Sequence, residues 1–378
     1  MIQTKSRLDV DGLVEVIAPA VVATRAQAAA ERRIPTGLVE ELRATGAFGL
    51  STPVELGGAE LSLTASMAMY EALGRLDAPV AWNVWNGNLG FAAALLAPEG
   101  VDAIWAGPAD PIIANSARPA GVATPADGGY LLNGRWDIVS AIDVADWVAL
   151  FALVAPGGHE LRACFLRREH CTVLDTWHTA GMRATGSNTV VVDGAFVPET
   201  STVSPFAPAR IDRPLYRIPA FTIASHGAAP IVVGAAQSAI DEIVALAPTK
   251  RTDNGQVLAE RAHAHTLLGQ AQTSLDAARA LLVSTAGALD RAAESGDASS
   301  VELRLALRAA MSHAAVVSRD VVGICRQLAS STAVYADQPI QRVLADAEVA
   351  LQHMILSPTH LDLRGRALLG QDPGTPVI

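Results

Sequence analysis

Apolar residues recur at helical spacing through the first hundred positions and return in longer helical segments after Arg217; between them the pattern changes to short β-prone runs. Leu38 and Leu42 followed by Thr45-Gly46 predict a helix end. Pro53-Val-Glu-Leu-Gly57-Gly58 demands a loop, after which Ser62 is placed to cap a helix running through Leu76. From about Ala109 to Pro208, the runs Tyr130–Leu132, Trp147–Val154 and Thr189–Asp193 are bounded by Gly, Pro, Asp or Asn, which predicts a small antiparallel barrel or sandwich. Four long helical segments follow, Phe221 to Ala247, Gln256 to Ala293, Val301 to Leu328 and Pro339 to Leu369, the makings of an antiparallel bundle. The expected architecture is mainly α with a central β-domain: N-terminal helices over 1–108, a middle β-domain over 109–212 and a C-terminal four-helix bundle over 213–378.

Composition narrows the function more than the fold. A chain of 378 residues exceeds the usual size of one hydrophobic core. Half of it is hydrophobic and only 17% is charged, which implies extensive buried surface and predicts an oligomer, a homotetramer being the expected form. A net charge of -10 offers no broad basic face, so nucleic acid is not an expected partner. Met1–Asp9 lacks the apolar stretch and cleavage site of a secretory signal. The most apolar stretch, Ala228 to Ala247, is interrupted by Gln237, Asp241 and Glu242, charges that are expensive in lipid. It reads as a buried helix, and no membrane association is expected. Cys164, Cys171 and Cys325 form neither an even disulfide set nor a metal cluster, which fits small core residues in a reducing cytoplasm. His263-Ala-His265 places its imidazoles on different sides of a helix and is not a metal site.

Four segments carry a resemblance in their order and spacing: Pro53–Gly58, Tyr70–Asp77, Asp127–Trp136, and Gly181–Ser187 followed by Phe196-Val-Pro198. Together they resemble the acyl-CoA dehydrogenase superfamily, in which a flavin lies between a middle β-domain and a C-terminal four-helix bundle. Dehydrogenases of that superfamily carry a catalytic Glu in a Glu-Gly-Thr motif soon after an Arg-Asp pair. Here Ala345-Asp346 stands for the pair, and His353 and Met354 stand about where the base should be. Neither replaces a carboxylate base. The run Tyr335–Arg342, then Asp346, His353 and Gly365–Gly370, instead resembles the two-component flavin monooxygenases, which receive reduced FMN or FAD from a separate NAD(P)H flavin reductase.

The resemblance also implies roles. Ser140 matches a family Ser that hydrogen-bonds near the reactive edge of the flavin ring, although the family's Ser-Gly is Ser140-Ala141 here. His353 matches a bundle His that faces flavin and substrate, implied either to orient the substrate or to accept a phenolic proton, which its ordinary pKa suits. Asn115, Ser116, Thr185 and Ser187 are implied to line the flavin cleft, with Trp136 and Trp177 as walls and Ser330 and Ser331 approaching from the bundle. Trp82, Trp85 and Trp147 are further candidate walls; Trp85, Asn88, His226 and Met354 join His353 around the substrate. No Gly-x-Gly-x-x-Gly or Walker loop is present, so the flavin phosphate falls to scattered groups, with Lys250 and Arg251 as candidates reaching a neighbouring subunit's flavin. His360, seven residues beyond His353, is expected two turns along the same helical face.

The activity these resemblances imply is a flavin-dependent oxidoreductase that hydroxylates a small aromatic or polycyclic substrate with reduced flavin and oxygen, in a pocket that excludes water. Two alternatives stay open at this point: an acyl-CoA dehydrogenase-like flavoenzyme with a displaced base, and a flavin-free partner subunit of a mixed oligomer.

Overall fold

The computed structural model describes residues 10–107, 110–251, 255–297 and 300–375. The Met1–Asp9 segment and the boundary expected between residues 108 and 109 lie outside them. Five helices come first: α1 Val10–Glu31, α2 Thr36–Ala44, α3 Leu63–Leu76, α4 Ala78–Gly87 and α5 Pro98–Trp105. The Ser62 side chain accepts from the Ala65 N–H at 3.3 Å and so starts α3 where its capping position requires. Gly46, with φ 78°, lets the chain leave α2 through a left-handed turn.

The middle region holds β1 Ile113–Ala126, β2 Gly129–Val139, β3 Trp147–Val154, β4 Leu161–Arg167, β5 Thr172–Leu174, β6 Asn188–Pro198 and β7 Thr202–Val203. They form one seven-stranded sheet in the order β5-β6-β2-β1-β3-β4-β7. The expected antiparallel arrangement needs one correction, because β1 and β3 run parallel, with Ile113 opposite Trp147 and Ser116 opposite Leu150. The chain can connect them that way because β2 and the Ser140–Asp146 segment cross between them.

Then come α6 Pro214–Arg217, α7 Ala220–Ser225, α8 Ala228–Leu246, α9 Ala262–Ser295, α10 Val301–Ala329, α11 Pro339–Ala350 and α12 His360–Leu368. Two of the four expected bundle segments are interrupted. The first breaks at His226-Gly227 between α7 and α8, and the last between α11 and α12, where Pro358 lacks an N–H and pushes Ser357 out of helical conformation. His353 and His360 therefore do not share a helical face. Spans Gly12–Glu31 and Ala220–Leu246 are long and apolar enough to cross a membrane by length and composition, and 67% of the second is buried inside the protein.

Helix α8 is the central strut. A Cβ on Gly74 of α3 would lie 2.5 Å from the Ile231 carbonyl oxygen, and one on Gly234 of α8 would lie 2.2 Å from that of Glu71. Only glycine at both positions lets these two helices approach backbone to backbone. One apolar core runs through the helices on both sides of this contact, and a second, around Leu132, Trp136, Val148 and Val190, fills the sheet.

Candidate active site

The local fold of α4 sets the site. Asp77 caps its N-terminus, accepting from the Val80 N–H at 3.3 Å, and Pro79 fits the first turn, where no N–H is needed. Trp82 and Trp85, three residues apart, share one face and meet edge to face with ring centroids 4.8 Å apart. The imidazole of His353 stands edge-on to both, 5.4 Å from the Trp82 ring and 5.7 Å from the Trp85 ring. Trp85 is steadied by its indole N–H, which donates to the Ala224 carbonyl at 3.0 Å. It is also steadied by Gly227, where a Cβ would meet the indole at 2.4 Å.

A row of hydrogen bonds leads away from these rings. The Trp82 indole donates to Ser140 Oγ at 3.2 Å. Ser140 Oγ lies 2.8 Å from Ser187 Oγ, which lies 2.7 Å from Thr185 Oγ1. Thr185 donates to the Met182 carbonyl at 2.8 Å, and the Trp177 indole reaches the same carbonyl at 3.0 Å. Ser140, Thr185 and Ser187 are all buried. Ser140 follows the end of β2, between two residues in the left-handed region, Ile138 at φ 62° and Ala141 at φ 63°. The second is where the resembled family has glycine; here an alanine bears the conformation, and its N–H donates to the Thr185 carbonyl at 3.0 Å. Asn115 on β1 donates to the Asn86 carbonyl at 2.9 Å, tying the sheet to α4. Ser116 follows it, just before a register shift in the strand.

His353 owes its position to the interruption after α11. It caps a short 3-10 turn, Met354–Leu356, with Nδ1 accepting from the Ile355 N–H at 3.4 Å. Part of the ring stays open, yet the surrounding protein pushes its pKa down to about 4 through burial. The neutral ring with Nδ1 accepting carries its proton on Nε2.

The structure gathers Ser140, Thr185, Ser187, Trp177, Asn115, Trp85 and His353 into one region, while Ser116, the strand neighbour of Asn115, falls on the opposite face of β1. It places others elsewhere. Trp136 is fully buried in the sheet core, its indole donating to the Phe151 carbonyl at 2.9 Å, and is no cleft wall. Trp147 is also a core residue, under the Arg167 guanidinium at 4.6 Å. Asn88 is a structural tie, donating to the Ala47 carbonyl at 2.7 Å and accepting from the Ser51 N–H at 3.3 Å. His226 is buried against Ser66 Oγ at 2.7 Å and the Ile223 carbonyl, and burial pushes it to about 4. It supports Trp85 through the next residue, Gly227, without lining the pocket. Met354 is 73% exposed, so of the two residues expected at the base position only His353 faces the indoles.

Lys250 donates to Thr332 Oγ1 at 2.8 Å, beside the exposed Ser330 and Ser331, and Arg251 donates to the Gly255 carbonyl at 3.0 Å. This cluster lies at the C-terminal end of α8, whose 19 residues span roughly 28 Å, while Gly227 and Trp85 sit at the other end. The cysteines are core residues: burial pushes the thiols of Cys164 and Cys325 up to about 12 and that of Cys171 to about 11.

One contributor, Asn83, escaped sequence reasoning, and for Asp346, named there as a motif residue, the contact did. Asn83 donates to the Ala184 carbonyl at 3.0 Å and fixes α4 to the 183–187 turn. Asp346 accepts from the Met182 N–H at 2.6 Å and holds the same turn from α11. The spacing of Trp82 and Trp85 on one helix could have ranked Trp82 above Trp136. Asp346 and Met182 are 164 residues apart and leave no such signal.

Residues 10–103 match the family described as acyl-CoA dehydrogenase, N-terminal domain, and residues 226–358 match acyl-CoA dehydrogenase, C-terminal domain. An indole-3-acetate monooxygenase of Pseudomonas putida is 28% identical over 350 residues, covering 91% of this chain and 89% of the relative. The oxygenase component of an FADH(2)-dependent resorcinol hydroxylase from Rhizobium sp. is 28% identical over 397 residues, covering 98% and 96%. Among solved structures, XiaF from Streptomyces sp., in complex with FADH2 and glycerol, superposes with a TM-score of 0.92 at 27% identity and 98% coverage of both chains.

Proposed function

The chain belongs to the acyl-CoA dehydrogenase family, and from that premise we propose that it is the oxygenase component of a two-component flavin-dependent monooxygenase acting on an aromatic substrate. The observation that carries this reading is the identity of the side chain facing Trp82 and Trp85 from the bundle. A neutral imidazole stands where a dehydrogenase needs a carboxylate, so proton abstraction beside a thioester lacks its base. The relatives that span nearly the whole chain are monooxygenases or hydroxylases, and one of the superposed structures contains FADH2.

The residues present fit a reduced flavin. The buried hydroxyls of Ser140, Thr185 and Ser187 offer donors and acceptors for the polar edge of a planar ring, and Trp177 and Trp82 supply apolar faces beside them. When bound, the flavin supplies the reducing equivalents that activate oxygen. With Thr185 donating to Met182, the row runs from Ser140 to Ser187 to Thr185, so Ser140 would give its proton to the flavin edge by turning it away from Ser187, while the indoles of Trp82 and Trp85 keep water out. His353 orients the substrate by donating from Nε2. Of the two expected roles, this one is favoured over proton acceptance, because Nδ1 is engaged and the ring's basicity is depressed.

The reading extends to a separate flavin reductase, a cytoplasmic setting and a homotetramer. At least a second copy is favoured by the length of α8 between the Lys250 cluster and the Trp85 end, since one flavin meets both ends most simply when they come from different copies. Incubating the protein with reduced flavin, labelled molecular oxygen and a panel of phenols and indoles tests the function. Label in a hydroxylated product is the expected result. Flavin bleaching on anaerobic addition of an acyl-CoA, with no labelled product, would displace this reading.

A further inference from the structure

Arg308, on α10, is only 6% exposed, and among the described residues no hydrogen bond or ion pair reaches it. Burial alone pushes its pKa down to about 10, with no carboxylate offsetting the shift. The nitrogens of this guanidinium keep some contact with solvent, but a cation so largely buried opposes folding, and proteins rarely keep one without a counter-charge.

Its direction follows from its neighbours. Ser312, one helical turn on, donates from Oγ to the Ser357 carbonyl at 3.0 Å, so this face of α10 packs on the segment that opens α12. His360, the first residue of α12, has Nε2 3.0 Å from the Met354 carbonyl and feels the positive charge of Arg308. Arg304 stands one turn earlier on α10, and the acid nearest on α12, Asp362, is engaged by Arg366 at 2.8 Å. Two cationic or protonatable groups therefore converge, and among the described residues neither Arg308 nor His360 has an acid paired with it.

We propose that Arg308 and His360 form an oxyanion site between α10 and the start of α12, taking the carboxylate or phosphate group of a small ligand, with His360 gaining a proton on Nδ1 as the anion binds. A guanidinium holds either group through two parallel hydrogen bonds. Because His360 also grips the Met354 carbonyl, an anion here braces the turn that His353 caps, and so stiffens the bundle side of the aromatic pocket. The inference does not depend on the reaction assigned above.

The test uses the full chain and Arg308→Met, which keeps the volume but removes the charge. Sodium phosphate and sodium acetate are titrated separately at fixed ionic strength, following thermal unfolding and the His360 ring resonance by NMR. The wild type should show a saturable rise in Tm and an upward shift of the His360 pKa with at least one anion. R308M should show neither, and without added anion should melt no lower than the wild type. A response to phosphate alone assigns a phosphate ligand, and one to acetate alone a carboxylate. Arg308→Lys, which keeps charge without the fork, should raise the half-saturating concentration by about fivefold or more. No saturable response to either anion, or an equal response in R308M, overturns the site. So does dissociation of the oligomer on making R308M, seen by light scattering, because the missing counter-charge would then come from a second copy of the chain.

Discussion

The Asp346 carboxylate accepts a hydrogen bond of 2.6 Å from the Met182 N–H, and by this bond α11 holds the turn that carries Thr185 and Ser187. Met182 sits in the left-handed region at φ 52°, ψ 28°, a conformation that a non-glycine residue keeps only when its surroundings impose it. Asp346 also lies 3.7 Å from Arg342, which reaches Asp77 at 3.5 Å, and Asp77 pairs with Arg25 at 3.0 Å. The ion partner that Ala345 cannot provide is thus supplied one turn back on the same helix. These charges line a small cavity of about 80 Å³ together with Gly181 and Ala184.

Burial, reinforced by the nearby Asp77 charge, raises the Asp346 pKa to about 7. Between the unfolded value near pH 4 and about pH 7 the folded protein retains a proton that the unfolded chain releases, so stability falls as pH rises through that window. Asp346→Asn should flatten this fall and gain on the order of 1–3 kcal/mol over the wild type at pH 8 relative to pH 5. Denaturant unfolding at the two pH values measures it, and identical slopes for both proteins would refute the assignment.

Ser140→Ala removes the acceptor of the Trp82 indole and a partner of Ser187. A lost hydrogen bond of about 1–3 kcal/mol corresponds to roughly a 5- to 150-fold change in a rate. The expected outcome is more hydrogen peroxide released per product formed, at nearly unchanged substrate affinity. An unchanged peroxide-to-product ratio would remove Ser140 from the chemistry.

His353→Ala should slow product formation by about tenfold or more and raise KM, whereas His353→Gln, which keeps a donor, should recover part of the loss. With its pKa held near 4, this imidazole stays neutral from about pH 5.5 upward, so its titration should leave no inflection in the rate between pH 6 and 8. An inflection near pH 6.5 present in the wild type and absent from H353A would restore the proton-acceptor role.

Ala141→Gly should be tolerated and close to neutral or stabilising, by up to about 1 kcal/mol. Glycine relieves the left-handed backbone at φ 63° while adding unfolded-state freedom that partly cancels the gain. Chemical denaturation checks it, and a loss above about 2 kcal/mol would mean that the buried methyl contributes packing the backbone argument omits.

Much of the fold was legible because it depends on local rules. The Ser62 cap, the α2 stop at Gly46 and the long apolar period of α8 to α10 all came through. The interruption between α11 and α12 was written in Ser357-Pro358, yet an amphipathic reading from Pro339 to Leu369 overrode it. That miss displaced His360 from the face of His353. Within the site, Ser140, Thr185 and Ser187 lie in one hydrogen-bonded row that reaches Trp82, which His353 faces. The sheet-core place of Trp136 was not legible, because strand alternation alone leaves open which face of a sheet is the core. Its ring lies over Gly121 and Gly134, an arrangement that needs strand pairing to be known first. Asn83 and Asp346 act on a turn distant in sequence, and only folding brings them to it.

The glycine-on-glycine contact of Gly74 and Gly234 has a mechanical consequence. Two rods touching main chain to main chain cannot slide or part without opening a void along their length, so the N-terminal helices and the bundle move as one rigid jaw. Widening the aromatic pocket by hinging at α3 and α8 is closed to this protein. Compliance is left to the stretch between α11 and α12, Met354 to Thr359, held by one 3-10 turn and a few single hydrogen bonds, where a side chain 73% open to solvent adjoins the histidine against the indoles. Exchange of small molecules should therefore be timed by the motion of about six residues, and lengthening or shortening that stretch should change turnover while leaving the melting of the helical scaffold in place.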